Sequence, residues 1–184
     1  MTILMAIDPG NAKRAGKVCY AAEFRDEVLA DLHTFTRETA RLWRQRRTVF
    51  GVDTVAIEKP QQDKRSRRVP PSVLIGLAWN GALVASALDP EELIEMPPRE
   101  WKGGINKHPH HLQIWRRLRE DERAVLASSE DMTVEEVYAA LKAASVKHVR
   151  TGKQTKHKFY DKLDAVGVGL VALGRMARAG SHIE

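Results

Sequence analysis

Cysteine is nearly absent. The 184-residue chain holds one, Cys19, so no disulfide framework can form and a reducing compartment is the natural setting. Long apolar runs are also missing. The stretch from Leu163 to Leu173 is broken by Asp164, Gly167 and Gly169 and falls short of the roughly 20 residues that span a bilayer, so no membrane partner is expected. Asp8 stands where a secretory signal would need its apolar centre, which argues against export and for a cytoplasmic protein. No internal repeat and no low-complexity tract occurs. Basic charge, by contrast, is in excess: 30 Lys and Arg against 24 Asp and Glu leave a net charge of +6, which favours a polyanionic partner. With 43% hydrophobic residues the length suits one globular domain over 1–184, and not comfortably two.

The patterning predicts an alternation of strands and helices. Thr2 to Ile7 reads as a short apolar strand stopped by Asp8-Pro9-Gly10. Lys17 to Phe24 and Val28 to Phe35 read as further strands of a meander, separated by Arg25-Asp26-Glu27. A helix is expected over Glu38 to Phe50, and a strand over Thr54 to Ile57 that delivers Glu58 at its end. Ser72 is placed to cap a helix from Val73 to Leu88, followed by a strand from Leu93 to Met96 and a helix from about His110 to Arg119. Thr133 and Glu136 form a capping box for a helix through Ala144, and the last helix is expected from about Tyr160 to Arg178. Two polar, basic stretches, near 59–71 and 146–158, read as loops. The fold class is α/β, a mixed sheet flanked by helices.

Four carboxylates stand out. Asp8 and Glu58 close two apolar strands, and if those strands are parallel neighbours their ends lie about 5 Å apart. Asp161 and Asp164, three residues apart at the start of a helix, share one face. Convergence of four unpaired carboxylates calls for hard divalent cations with oxygen ligands, and two Mg²⁺ ions roughly 3.5 to 4 Å apart suit phosphodiester hydrolysis. Taken singly, each has an ordinary structural explanation: a turn, a solvated strand end, a helix-dipole contact.

The segments Ile7-Asp8-Pro9-Gly10 with Gly16, Ala56-Ile57-Glu58, and Asp161-Lys162-Leu163-Asp164-Ala165 resemble the RuvC-type Holliday junction resolvases of the RNase H-like superfamily, from residue 3 to about 174. The resemblance implies an RNase H-like mixed five-stranded sheet flanked by helices. It also implies that Asp8, Glu58, Asp161 and Asp164 are the catalytic, metal-binding acids, and that Lys102 and Lys107 lie near the scissile phosphate. The implied cofactor is a pair of Mg²⁺ ions, replaceable by Mn²⁺, and the implied partners are branched DNA and a second copy of the chain. The setting would be a bacterial cytoplasm, or a host cytoplasm for a phage protein. The chain departs from the family at Lys17-Val18, in lacking an aromatic residue after Glu58 and in a longer 124–153 region.

The basic stretches supply candidate DNA contacts, Lys64, Arg65, Arg67 and Arg68 in the first and Lys153, Lys156 and Lys158 in the second. No arginine stripe interleaved with aromatics suggests base stacking, so backbone and shape recognition is the expected mode. His108, His110 and His111 have lysines as neighbours and no cysteine pair, which argues against zinc, and His157 reads as a surface residue. Trp43, Trp79, Trp101 and Trp115 read as packing residues, and the helix from Val73 to Leu88 as the best dimer surface. Alternatives are a broader nuclease for flaps, forks or RNA-DNA hybrids, and a non-catalytic nucleic-acid-binding module. An actin-like ATPase, which shares the strand-Asp-x-Gly opening, needs a duplicated domain for which there is no room.

Overall fold

In the computed structural model, which describes residues 1–9, 17–36, 38–40, 42, 51–60, 71–103, 105, 107–151 and 159–177, five strands form one sheet: β1 (Ile3–Pro9), β2 (Lys17–Arg25), β3 (Val28–Thr36), β4 (Thr54–Glu58) and β5 (Glu92–Met96). Their order is β3-β2-β1-β4-β5. β1, β2 and β3 pair antiparallel, while β4 pairs parallel with both β1 and β5. The β2-β3 hairpin turns at Asp26 and Glu27, with φ of 46° and 68°. A two-residue loop with both central residues at positive φ matches the twist of the strands it joins. The Asp26 carboxylate accepts a hydrogen bond from Thr2 N at 2.9 Å, tying the turn to the start of β1.

β1 is central and covered on both faces, which is why Ile3 to Ile7 is a continuous apolar run rather than an alternating one. Its side chains divide by parity into two cores. On one face Ile3, Met5, Ile7, Cys19, Ala21, Phe35 and Val55 pack against Val84, Ala85, Ala87 and Leu88 of helix α1 (Pro71–Leu88). On the other, Leu4, Ala6, Ala22, Phe24, Ala56 and Met96 meet helices α2 (Pro98–Trp101), α3 (Lys107–Arg117), α4 (Glu120–Ser128), α5 (Val134–Thr151) and α6 (Phe159–Ala172). This is the mixed five-stranded sheet flanked by helices expected for the RNase H-like class. Among the described residues no helix is long and apolar enough to cross a membrane.

α6 lies on β1 and β2 and is buried at every described position from Phe159 to Val171 except Asp161. Gly169 allows that approach, since a methyl there would lie 2.2 Å from Phe24 Cε2, while Gly167 admits the neighbouring helices, since a methyl there would lie 2.7 Å from Trp101 Cζ3.

Several boundaries differ from the sequence expectation. Pro71 opens α1, so Ser72 lies inside its first turn rather than capping it. α3 begins at Lys107, three residues before the expected His110, and ends at Arg117. Two helices were not anticipated. α2 is a single turn, and α4 has few apolar positions but three acids in its first turn, where Glu122 accepts a hydrogen bond from Arg119 N at 2.7 Å. The capping box of Thr133 and Glu136 forms, with Glu136 Oε2 2.8 Å from Thr133 N. α5 then continues to Thr151, so 146–151 is helical and not loop, because no Gly or Pro interrupts it before Gly152. α6 ends at Ala172, short of Arg178. Of the helix expected over Glu38 to Phe50, residues 38–40 and 42 are helical and the others lie outside the described residues.

Candidate functional site

Parallel pairing of β1 and β4 is what assembles the site. Ile7 pairs with Ile57, so the next residues, Asp8 and Glu58, leave the same edge of the sheet side by side. α6 begins over that edge and contributes Asp161 and Asp164 from its first turns. Carboxylate oxygens of Asp8, Asp161 and Asp164 lie within 4.8 Å of one another. Glu58 stands outside that triplet and is joined to it through Lys102, whose Nζ is 3.2 Å from Glu58 Oε2 and 3.7 Å from Asp164 Oδ1. Lys107, in the first turn of α3, places its Nζ 2.8 Å from Asp164 Oδ2 and 3.6 Å from Asp161 Oδ1. All four acids and both lysines singled out from the sequence thus fall in one neighbourhood.

Charge is unevenly compensated there. Burial, followed by the neighbouring Asp164 and Glu58 charges, pushes the Asp8 carboxyl well above the usual carboxylate range, with Lys102 only partly opposing. Burial also raises Glu58, against the pull of Lys102. Asp164 goes the other way. Burial disfavours its charge, but a hydrogen bond from His111 and the charges of Lys102 and Lys107 outweigh it and hold the carboxyl below its ordinary range. Burial opposes the charge on both lysines, yet Asp164 above all keeps each of them more basic than a free lysine.

His111 is the functional candidate that sequence reasoning missed. Its ring is fully buried and its Nε2 lies 2.9 Å from Asp164 Oδ1. An ionised carboxylate only accepts, so Nε2 carries the proton and donates. Burial lowers the imidazole pKa, so the ring is a neutral positioner. The available signal was its place four residues after Lys107, on the same helix face.

Its neighbours His108 and His110 are packing residues. His108 stacks near Tyr160, with ring centroids 5.3 Å apart, and His110 near Trp101 at 5.1 Å. Burial pushes His110 down to about 4 and Tyr160 up to about 12. Neither joins a metal-ligating group among the described residues. A second cluster, Glu23 with Asp31 and His33, is an internally satisfied network: Glu23 accepts from Arg25 Nε at 2.6 Å and pairs with His33 Nε2 at 2.7 Å.

Of the tryptophans, Trp101 and Trp115 are buried as expected, and Trp43 lies outside the described residues. Trp79 is 71% exposed, which overturns its reading as a packing residue of its own core: it is on the side of α1 opposite Gly81, which faces Ile57 and Pro9. The expected DNA contacts Lys64, Arg65, Arg67, Arg68, Lys153, Lys156 and Lys158, and also His157, lie outside the described residues.

No family model matches the chain, and no curated protein matches it. Among solved structures the chain is similar to Thermus thermophilus RuvC in complex with a Holliday junction substrate. Identity is 12% over 97% of this chain and 99% of that one, with a TM-score of 0.42. A second Thermus thermophilus RuvC structure matches with 12% identity over 96% and 99% of the two chains and a TM-score of 0.41.

Proposed function

We propose that the chain is a single nuclease domain that cuts branched DNA, resolving four-way junctions by metal-dependent phosphodiester hydrolysis. The observation that carries this reading is the convergence of Asp8, Asp161 and Asp164 at the edge where Glu58 also ends its strand. The donor set fits a hard divalent cation: it consists of carboxylate oxygens, with neither thiolate nor imidazole among them. Asp8, Asp161 and Asp164 would hold Mg²⁺, or Mn²⁺ in its place, with Glu58 completing a second site. Such ions supply an activated water and charge stabilisation at the leaving oxygen. The protein's own groups do the rest. Lys102 and Lys107 present two ammonium groups to a phosphate approaching the acids, and their charge balances the negative charge that grows on its oxygens. His111 fixes the rotamer of Asp164 from behind.

The test is a cleavage assay with Mg²⁺ or Mn²⁺ on labelled four-way, forked and linear DNA, with Asp164→Asn alongside. Cutting of the four-way junction that Asp164→Asn abolishes, with DNA binding kept, is the expected result. Preference for forks or flaps would replace junction resolution by a broader nuclease. Binding with no cleavage in either metal would leave a nucleic-acid-binding module.

Resolution needs two incisions on strands related by approximate two-fold symmetry, and one set of acids makes one. A homodimer would supply the second. α1 supports this: no residue from Pro71 to Leu88 is charged, its Asn80, Gly81, Val84 and Leu88 are buried, and its opposite side exposes Ile75 (67%) and Trp79 (71%). An uncharged helix face of this kind suits an identical face across a two-fold axis. Light scattering at micromolar concentration should report twice the 20.7 kDa chain mass, and Trp79→Glu should return the single mass. A wild-type monomer on junction DNA would defeat the paired-incision reading.

A further inference from the structure

Beside the carboxylates, and sharing Lys102 with them, is a cavity of about 630 Å³ whose other lining residues the proposed reaction does not use. Its volume lies within the roughly 300 to 1,000 Å³ of sites that hold small organic groups. One wall is a stripe of α3, where Gln113, Arg116 and Arg117 follow one another at helical spacing and are all exposed. Arg116 and Arg117 make no side-chain ion pair among the described residues, although each lends its backbone carbonyl to a neighbouring arginine. The apolar part is made by Trp101, Met176 and Ile105, the last 46% exposed. Three cations, an amide that can both donate and accept, and an apolar wall form the complement of one nucleotide, with its phosphate, its base edge and its base face. A concave site of this size admits a single unstacked nucleotide and not a paired duplex, whose bases are turned inward.

From this arrangement we infer that the cavity binds an unpaired nucleotide of the DNA strand. Its phosphate sits on Arg116 and Arg117, its base lies against Ile105 and Met176, and Lys102 is the link to the carboxylate site. The inference rests on the nuclease reading for its biological sense, but not for its chemistry. It gives branched DNA, whose base pairs next to the branch point have lost stacking continuity and open more readily, an advantage over linear duplex.

The test measures binding in EDTA, where no cleavage occurs, by fluorescence anisotropy with labelled (dT)12 and with a fully paired hairpin whose two strands are joined by a non-nucleotide linker. Arg116→Ala with Arg117→Ala should weaken (dT)12 binding at least tenfold and lower its log-log salt slope by about 0.7, the contribution of the one phosphate contact they share on a single strand. Ile105→Glu should weaken (dT)12 to a similar degree and leave the hairpin within twofold. Lys142→Glu, exposed on α5 outside the cavity, makes the same change in net charge as the double alanine variant and should leave (dT)12 within twofold. An unchanged slope in the double variant, or equal losses on (dT)12 and the hairpin, would overturn the inference. Junction cleavage by the wild type together with an unchanged slope would remove this subsite and keep the nuclease. The expected (dT)12 losses without any cleavage would keep the subsite and remove the nuclease.

Discussion

Replacing Asp8 and Asp164 one at a time by asparagine, at pH 7 in EDTA, should move stability in opposite directions although their oxygens lie within 4.8 Å. Asp164 is nearly fully buried and is the hub of the charge network, with Lys107 at 2.8 Å and Lys102 at 3.7 Å. Removing one member of a buried ion pair costs about 3–5 kcal/mol. The lower end, about 3 kcal/mol, applies here, because the Lys107 and Lys102 side chains are 33% and 26% exposed and can rehydrate, and Lys102 keeps Glu58. Asp8 has no ion pair among the described residues and is surrounded by burial and like charge. Neutralising it should stabilise by about 1 kcal/mol, as relief of a strained functional site commonly does.

The pH dependence follows from the same difference. Asp164 has a folded pKa below its unfolded one, so its contribution is present above the ordinary carboxylate range and is lost as pH falls through the folded value. Asp8 has a folded pKa well above its unfolded one. The native state therefore holds a proton that the unfolded chain has already released, and stability falls as pH rises across that window. Thermal melts should place Asp8→Asn above Asp164→Asn by roughly 8 to 16 °C, from a gap of about 4 kcal/mol at about 2–4 °C per kcal/mol for a chain of this size. The gap should narrow as the pH is lowered. Mg²⁺ should raise the wild-type melting temperature by selective binding to the native state, and raise that of either variant less. Changes of the same sign at pH 7 would refute this account of the site's electrostatics.

Two further outcomes are expected. His111→Leu should lower kcat on the cleaved substrate by about 10- to 100-fold with DNA affinity kept, and His111→Gln, which retains an N–H donor, should lose less. Gly169→Ala gains up to about 1 kcal/mol of helix propensity but drives a methyl to 2.2 Å from Phe24 Cε2 in a filled core; overpacking at about 1–3 kcal/mol outweighs the gain, and urea denaturation should show a lowered midpoint.

How much of this could be read beforehand depended on whether local chemistry or tertiary contact set the feature. The five strands were legible because apolar runs and the Asp26-Glu27 turn are local signals, and the adjacency of Asp8 and Glu58 followed once their strands were taken as parallel neighbours. α4 was not legible, since its few apolar positions leave it dependent on a tertiary contact, the buried Glu122 held by Arg175 from beyond α6 at 2.7 Å. Nor could the strand pattern show that Glu58 would stand apart from the other acids, because that distance is set by Lys102 and the α2 turn on which it depends. The exposure of Trp79 has a related cause. An apolar helix looks the same whether its second face meets the sheet or is left outward, and only the depth at which Gly81 docks on Ile57 and Pro9 decides it.

The precision of the charged site traces back to an apolar contact. Gly167 lies three residues after Asp164 on α6, and the space a methyl would take there is filled by Trp101 and by Ile114 of α3, which a methyl carbon would meet at 2.7 and 2.8 Å. Trp101 immediately precedes Lys102, and Lys102 Nζ sits 4.1 Å above a Trp101 ring centroid. The same glycine contact therefore sets how far α2 and α3 stand from α6. Through them it sets the separations between Lys102, Lys107 and His111 on one side and Asp164 on the other. Flexible lysines alone would not hold such spacing, because each carries several freely rotating bonds and stays in contact with water. A rigid indole seated against bare helix backbone does, so the glycine of Asp164-Ala165-Val166-Gly167 belongs to the site as much as the carboxylate does.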